Sequence, residues 1–252
     1  MAVNQLHFYS DALGKYTRAN IILPLPKRAE TSFEPLPTLV LLHGMGHDAD
    51  CWLLRSNVER YACEAGIAII LPEGELSCYE NMAHGPNYRD YIIQELPGRM
   101  RSIFPLSHDR SKNFIAGCSM GGCGALKLGF HAPENWSAIG AFSAGHLEYR
   151  PDAPKNREML ENVYGSSLPE ADAEIERHAL GKRPHLKIWH GCGDRDCLKE
   201  TALQSKIFLE ALPNADYHFE MLPGSHDWPL WDEMLRRFIA DLPLAKPEVR
   251  LL

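Results

Sequence analysis

The chain has 252 residues, of which 45% are hydrophobic and 23% are charged. These values are typical of a globular protein and argue against a disordered chain or a coiled coil. The net charge of −7 and the lack of a long Lys/Arg run argue against a surface that binds nucleic acid. No stretch approaches the roughly 18 apolar residues of a membrane span, and the N-terminus shows no secretory signal. The seven cysteines are an odd number, typical of reduced thiols, so we expect a cytoplasmic protein.

Short apolar runs alternate with helical patterns along most of the chain. The predicted strands cover residues 7–13, 17–23, 38–42, 67–71, 113–117, 138–142, 186–189 and 217–222. The predicted helices cover residues 52–63, 88–103, 121–130, 199–212 and 231–239. Pro97 should kink or split the second of these helices. This alternation predicts an α/β fold with a mostly parallel central sheet, helices on both faces and the first two strands as an antiparallel edge.

The domain organisation is predicted to be simple. No linker divides the chain, so we expect a single domain over residues 1–252. Residues 145–184 interrupt the rhythm of strands and helices with prolines and acidic runs. One interpretation is a small cap over the carboxyl ends of the strands. The other is a plain surface insertion, because long loops cost little free energy, and the sequence leaves both open.

The segment Gly117-Cys118-Ser119-Met120-Gly121 matches the pattern G-x-S-x-G and lies between a predicted strand and a predicted helix. A sharp turn at this junction would project the Ser119 hydroxyl from the sheet, and a glycine on either side would avoid a collision. The N-terminus of the following helix would favour negative charge at the same place. We therefore predict Ser119 as a nucleophile. The alternative is a glycine-rich connection with an idle serine.

A serine nucleophile needs a base, and the base needs a carboxylate that orients it. In enzymes with this turn the acid and then the histidine follow the serine along the chain. His226 lies in a turn after the last predicted strand, whereas His218 lies within that strand, so we predict His226 as the base. Asp194 and Asp196 both follow the preceding strand. We favour Asp196, because such an acid usually follows a short glycine turn; the other aspartate could cap the next helix.

Acyl transfer also needs hydrogen-bond donors for a developing oxyanion. The backbone N–H of Met120, directly after the serine, is the first candidate. The second is the N–H of Met45, in the loop His43-Gly44-Met45-Gly46 that follows a predicted strand. The glycines of this loop would let its backbone approach a substrate.

Two groups of side chains could instead be interpreted as metal sites. Cys192 and Cys197 lie near His190, but their spacing is not one of the usual Cys-x-x-Cys patterns. His43 and His47 share a loop, where a bracing role explains His43 sufficiently. We therefore expect neither a metal nor an organic cofactor.

Several sequence blocks occur in an order that is typical of one family: Leu41-Leu42-His43-Gly44-Met45-Gly46, Asn57-Val58-Glu59-Arg60, Gln94-Glu95-Leu96-Pro97, Ala116-Gly117-Cys118-Ser119-Met120-Gly121-Gly122 and Phe142-Ser143-Ala144-Gly145. In these blocks the chain resembles the esterase D-like branch of the α/β-hydrolases, and within it the tributyrin-esterase type of small carboxylesterase. Relatives of this type include S-formylglutathione hydrolases, feruloyl esterases and mycolyl transferases. Cys78-Tyr79 departs from the Trp-Tyr expected in its loop, which bears on the specificity.

The resemblance implies a catalytic triad of Ser119, Asp196 and His226, with the N–H groups of Met45 and Met120 as oxyanion donors. It implies hydrolysis of short-chain acyl esters, of the acetyl or butyryl type, through an acyl-enzyme. The expected partner is a small-molecule ester, and a homo-oligomer is left open. One alternative is a thioesterase for S-formylglutathione with the same residues. The other is a binding protein on an inactive hydrolase scaffold.

Three further residues are candidates for substrate binding. Gly44 belongs to the predicted oxyanion loop. Tyr79, in the loop after the fourth predicted strand, could line the alcohol side of the pocket, with a position on the surface as an equal alternative. Trp228, two residues after the predicted base, could shape the acyl side together with the 145–184 segment.

Overall fold

The structure is a computed structural model that describes residues 1–25, 34–144, 156–165 and 184–244. The described strands form one sheet in the order β1-β2-β4-β3-β5-β6-β7-β8. The strands are β1 Ala2–Ser10, β2 Lys15–Leu23, β3 Thr38–Leu42, β4 Ala68–Pro72, β5 Asn113–Cys118, β6 Ala138–Phe142, β7 Leu186–Gly193 and β8 Ala215–Leu222. The helices are α1 Cys51–Arg55, α2 Val58–Ala65, α3 Tyr88–Asp90, α4 Leu96–Ile103, α5 Met120–His131, α6 Arg157–Tyr164, α7 Lys199–Glu210 and α8 Trp228–Asp241.

The sheet is parallel except at one edge. β1 pairs antiparallel with β2 through a tight turn at Gly14, where φ is 64°, and β2 pairs antiparallel with β4. The other described neighbours, from β4 through β3 to β8, are parallel. The predicted α/β fold with an antiparallel N-terminal edge is therefore confirmed.

Alternate residues of the central strands enter two separate hydrophobic cores. On β3, Leu39 and Leu41 pack in a core that also contains side chains of α1, α2 and α8. Val40 and Leu42 pack in the other core, with side chains of α4, α5 and α7. A strand that is covered on both faces is mostly apolar on both, which explains the apolar run of residues 39–42. The carboxyl ends of these parallel strands meet at one edge of the sheet, where the loops of the site lie.

The predicted helix 52–63 is two helices, α1 and α2. Between them, the Ser56 hydroxyl donates to the Trp52 carbonyl at 2.6 Å and accepts from the Val58 N–H at 3.3 Å. The Asn57 N–H donates to the Asp232 carboxylate on α8 at 2.8 Å. Asp232 lies far along the chain, so no local pattern could indicate this break.

The predicted helix 88–103 continues through Pro97 without ending there. Proline lacks an N–H, so the carbonyl of Ile93, four residues earlier, loses its usual donor. A π-helical turn at Tyr91–Glu95 widens the helix just before the proline. The side-chain amide of Asn135 then donates to the Ile93 carbonyl at 2.9 Å. Pro97 itself lies in the first turn of α4, where a missing N–H costs little.

Two other predictions concern the bounds of the first strand and the 145–184 segment. β1 spans Ala2–Ser10, earlier than the predicted strand 7–13, and residues 11–14 form the turn. Of the predicted 145–184 insertion the structure describes residues 156–165, which include α6, and residue 184; the rest lies outside the described residues. The cap and the single domain over 1–252 therefore stay predictions. Within the described ranges no helix has the length and apolar character needed to cross a membrane.

The Glu95 carboxylate binds the β1–β2 turn to the π-helical turn that precedes α4. It accepts hydrogen bonds from the Ser10 hydroxyl at 2.6 Å and from the N–H groups of Asp11 and Ala12 at 3.2 and 3.0 Å. The Arg99 guanidinium lies 2.9 Å from it. Burial opposes ionisation of this carboxyl, but these four donors outweigh burial, so the pKa of Glu95 lies below its ordinary value.

The change Glu95→Gln should therefore lower the free energy of unfolding at pH 7 by about 1–3 kcal/mol, the value of hydrogen bonds to a charged group. A carboxyl with a lowered folded-state pKa stabilises above its unfolded pKa, and this stability is lost as pH falls through the folded pKa. Urea unfolding between pH 7 and pH 3 should thus show a steeper acid loss in the wild type than in the variant. Glu64→Gln, at an exposed position, is the control. Equal pH slopes in wild type and Glu95→Gln would contradict the prediction.

Candidate active site

Ser119 sits at the sharp junction of β5 and α5. Its backbone has φ 54° and ψ −118°, a strained conformation for a residue that carries a side chain. The Ser119 N–H donates to the Phe142 carbonyl at the end of β6 at 2.8 Å, which fixes the turn against the neighbouring strand. The turn predicted from the G-x-S-x-G segment is therefore present.

Glycines on both sides of Ser119 allow this turn to exist. A Cβ at Gly117 would lie 2.5 Å from the Gly121 carbonyl oxygen. A Cβ at Gly121 would lie 2.6 Å from the carbonyl oxygens of both His43 and Leu42. These neighbours are backbone atoms that cannot rotate away, so the predicted steric need for glycine at both positions is confirmed.

Three of the predicted residues are brought together in one hydrogen-bonded chain. His226 Nε2 lies 2.9 Å from Ser119 Oγ, and His226 Nδ1 lies 2.9 Å from Asp196 Oδ1. Asp196 follows β7 and His226 follows β8, so both reach Ser119 from the carboxyl edge of the sheet. The His226 side chain keeps 24% of its surface exposed, whereas the Asp196 side chain is fully buried.

The surroundings of Asp196 keep it ionised. Burial opposes its charge, but the His226 imidazole and the Leu198 N–H, which donates to Oδ1 at 2.8 Å, outweigh burial. The pKa of Asp196 consequently lies below its ordinary value. An ionised carboxylate at this place fixes the imidazole with Nδ1 protonated and leaves Nε2 free to accept the serine proton.

The loops that carry Asp196 and His226 are bonded to each other. The Gly224 N–H donates to the Asp194 carboxylate at 2.9 Å, and the Arg195 N–H donates to the Gly224 carbonyl at 3.0 Å. Asp194 thus braces the loop of His226, instead of capping a helix as the sequence had suggested for the second aspartate. The Asp227 side chain accepts from the Leu230 N–H and begins α8.

The loop after β3 passes beside the serine. The His43 ring is buried; its Nε2 accepts from the Gly74 N–H at 2.9 Å, and its Nδ1 lies 2.9 Å from the Gly44 carbonyl. These contacts agree with the predicted bracing role of His43. Gly44 is buried close to the Cys118 carbonyl, so the next residue, Met45, is near the turn. Met120 is the first residue of α5, and its N–H therefore lacks an acceptor within the helix.

The structure corrects the predicted role of Tyr79. Its side chain has no exposed surface, and its hydroxyl donates to the His43 carbonyl at 2.8 Å. A fully enclosed side chain cannot contact a substrate in this arrangement, so Tyr79 is neither a pocket residue nor a surface residue. It lies beneath the loop that contains Met45.

A cluster of aromatic rings lies beside His226, and Trp231 contacts it directly. Trp228 is partly buried and packs against His47 and Trp52, with ring centroids 5.0 and 5.1 Å apart. Trp231 stands perpendicular to the His226 ring at 5.0 Å, and its indole N–H donates to the Ser143 hydroxyl at 3.0 Å. The sequence shows Trp231 only as part of an amphipathic helix, so its contact with His226 was missed.

The structure bears on the metal interpretation that included His190. His190 is buried between the Tyr217 hydroxyl and the Ala144 carbonyl, and burial lowers its pKa to about 4. It is a core histidine and not a ligand. Among the described residues, the side chains close enough to share an ion are Asp196, Cys197 and His226. An ion there would compete with the hydrogen bond between Asp196 and His226.

The chain is similar to known esterases and serine hydrolases. A family model described as “Putative esterase” matches residues 10–242. An acetyl esterase of Caldicellulosiruptor saccharolyticus is 31% identical over 93% of this chain and 96% of its own length. The substrate-bound structure of the fluorophosphonate-binding serine hydrolase FphF of Staphylococcus aureus has a TM-score of 0.84 and 31% identity, covering 95% of this chain and 97% of that one. The S-formylglutathione hydrolase FrmB of the same organism has a TM-score of 0.81 and 31% identity over the same shares.

The fold and these similarities define a serine hydrolase of the α/β-hydrolase type, with carboxylesterase as its enzyme class. More narrowly, the chain belongs to the esterase family whose model spans most of its length. The predicted resemblance is confirmed.

The turn at Ser119 can be tested through its glycines. Gly121→Ala should lower the free energy of unfolding by about 2 kcal/mol or more, because the new methyl group meets rigid backbone. Gly98→Ala is the matched control, since a Cβ there meets nothing within 4 Å in helix α4. It should stabilise by about 0.5–1 kcal/mol. Urea unfolding of both variants checks this, and equal effects of the two changes would contradict it.

Proposed function

We propose that the chain hydrolyses short-chain acyl esters, of the acetyl or butyryl type, with Ser119, His226 and Asp196 as catalytic residues. The observation that carries the proposal is the continuous hydrogen-bonded chain of 2.9 Å and 2.9 Å from the hydroxyl through the imidazole to the carboxylate. The 31% identity with an acetyl esterase supports the acyl size.

The reaction proceeds in two steps. The Ser119 oxygen attacks the ester carbonyl carbon while His226 Nε2 takes the hydroxyl proton, and the carbonyl becomes a tetrahedral oxyanion. The N–H groups of Met45 and Met120 donate to this oxyanion. The C–O bond to the alcohol then breaks, and His226 returns the proton to the leaving alcohol. Water attacks the acyl-enzyme with His226 again as base, which releases the acid and restores the hydroxyl.

The first test is a series of p-nitrophenyl esters from acetate to octanoate. We expect fast turnover on acetate or butyrate and a fall with chain length. Ser119→Ala should lower kcat by about 10³-fold or more, because only the oxyanion donors and substrate binding remain. Thermal unfolding of the variant should match the wild type. Substantial hydrolysis by folded Ser119→Ala would overturn the nucleophile.

The two aspartates in the loop after β7, Asp194 and Asp196, provide a second test. Asp196→Asn should lower kcat by up to about 10⁴-fold, because an amide no longer holds the imidazole in the required tautomer. Asp194→Asn is the matched control: it keeps an oxygen that can accept from the Gly224 N–H, so kcat should stay within about twofold of the wild type. Initial rates on the preferred ester give kcat for both variants. A larger loss of kcat in Asp194→Asn than in Asp196→Asn would make Asp194 the acid of the triad.

The second candidate is thioester hydrolysis by the same residues. The observation that favours it is the 31% identity with the Staphylococcus aureus S-formylglutathione hydrolase. Parallel assays of S-formylglutathione and p-nitrophenyl acetate separate the two functions. A kcat/KM higher for the thioester by a factor of ten or more would make the thioesterase the better description.

A further inference from the structure

The loop of residues 43–46 needs restraints from outside itself. Two of its four residues are glycines, and Gly46 adopts a positive φ of 74°. Glycine-rich backbone samples many conformations unless neighbouring groups fix it. A donor that must meet an oxyanion requires one conformation in advance of the reaction.

The Tyr79 hydroxyl provides such a restraint. It donates to the His43 carbonyl at 2.8 Å, one peptide unit before Gly44. The same carbonyl oxygen lies against Gly121 of the serine turn, since a Cβ there would come within 2.6 Å of it. One carbonyl therefore connects Tyr79, the loop and the helix that begins at Met120. Burial raises the pKa of Tyr79 well above its ordinary value, so the hydroxyl stays a donor.

The Tyr79 ring is held on both sides. A Cβ at Gly74 would lie 2.4 Å from the ring, and a Cβ at Gly124 would lie 2.5 Å from it. Cys78 and Tyr79 have positive φ values of 49° and 59°, a rare conformation for residues with side chains. This turn directs the ring inward between the end of β4 and helix α5.

The backbone around Tyr79 is fastened to the helix of the serine. The buried Lys127 ammonium on α5 donates to the Cys78 carbonyl at 2.9 Å and to the Glu80 carboxylate at 2.6 Å. The Ser77 hydroxyl accepts from the Tyr79 N–H at 3.0 Å. The tyrosine thus has little freedom to move, which a positioning group requires.

We propose that Tyr79 is a positioning residue, whose hydroxyl holds the His43 carbonyl so that the loop presents the Met45 N–H to the oxyanion. This inference rests on the proposed function for the role of Met45. The hydroxyl acts on a donor that is needed most when charge develops on the substrate oxygen. Its loss should therefore raise the barrier of the chemical step and leave ground-state binding of the ester nearly unchanged.

The test is Tyr79→Phe, which removes one oxygen atom. We expect kcat on p-nitrophenyl acetate to fall by about 10-fold or more, less than the roughly 10²–10³-fold loss of a whole oxyanion donor. KM should change by less than about threefold, as expected when transition-state interactions alone are lost. Binding of a trifluoromethyl ketone, which forms a tetrahedral oxyanion on the serine, should weaken by the same factor as kcat/KM.

Tyr61→Phe is the matched control. Its hydroxyl donates to Asp232 at 3.0 Å, between α2 and α8, and a comparable hydrogen bond is lost away from the serine. This variant should lose stability while kcat stays within about twofold. Ser77→Ala is the second variant. This variant is used if Tyr79→Phe folds poorly. It removes the acceptor of the Tyr79 N–H and should also lower kcat.

The labelling rate of Ser119 by a fluorophosphonate separates this inference from the ester proposal. In that reaction the serine oxygen bonds to phosphorus, fluoride leaves, and the phosphoryl oxygen needs the same donors. The wild type could hydrolyse every ester slowly while the fluorophosphonate still labels Tyr79→Phe about 10-fold more slowly than the wild type. That result would overturn the substrate proposal and leave the role of Tyr79 intact. Unchanged labelling, kcat and ketone binding in folded Tyr79→Phe, or a rise in KM alone, would overturn the role of Tyr79.

Discussion

The strained backbone of Ser119 is the constraint on which the rest of the structure depends. A positive φ on a residue with a side chain costs about 1–3 kcal/mol, and it persists only where the surroundings determine it. Here the surroundings are the ends of the two strands that flank β5: the carbonyls of Leu42, the last residue of β3, and of the next residue, His43, lie against Gly121, and β6 supplies the acceptor for the Ser119 N–H. The strain directs the hydroxyl away from the sheet, toward the edge where the loops of β7 and β8 arrive.

Those two loops function as one unit. The bonds between Asp194, Arg195 and Gly224 join the segment of Asp196 to the segment of His226. A Cβ at Gly193 would also come within 2.5 Å of the Gly224 carbonyl oxygen, so the loops are in direct contact. The positions of Asp196 and His226 relative to each other are thus fixed by hydrogen bonds between their loops, one of them to the Asp194 side chain and one between backbone groups, as a preorganised site requires.

Sequence reasoning succeeded where the signal was local. The turn at Ser119, the loop position of His226 and the glycines before Asp196 each follow from a few adjacent residues and the strand that precedes them. It failed where a residue 30 or more positions away decides the outcome. The break of the 52–63 helix depends on Asp232, and the enclosure of Tyr79 depends on His43 and on Gly124. Nothing near Tyr79 in the sequence indicates that its ring is buried, because the positive φ values that turn it inward occur on non-glycine residues.

Helix α5 shows why a sequence with poor helix propensity occurs at the centre of the site. It contains four glycines in twelve residues, and each glycine in a helix interior costs about 1 kcal/mol relative to alanine. A Cβ at each of them would nevertheless collide: with the β3 carbonyls, with the Phe142 carbonyl at 2.9 Å, with Tyr79 at 2.5 Å and with Ile139 at 2.3 Å. The helix therefore gives up intrinsic stability so that the sheet, the serine turn and the tyrosine can approach its axis. Burial of its remaining apolar side chains, and the Lys127 bonds to residues 78 and 80, keep it in place. Two of the glycines that weaken the isolated helix, Gly121 and Gly122, are thus the residues that let the ends of β3 and β6 approach and hold Ser119 in its strained conformation.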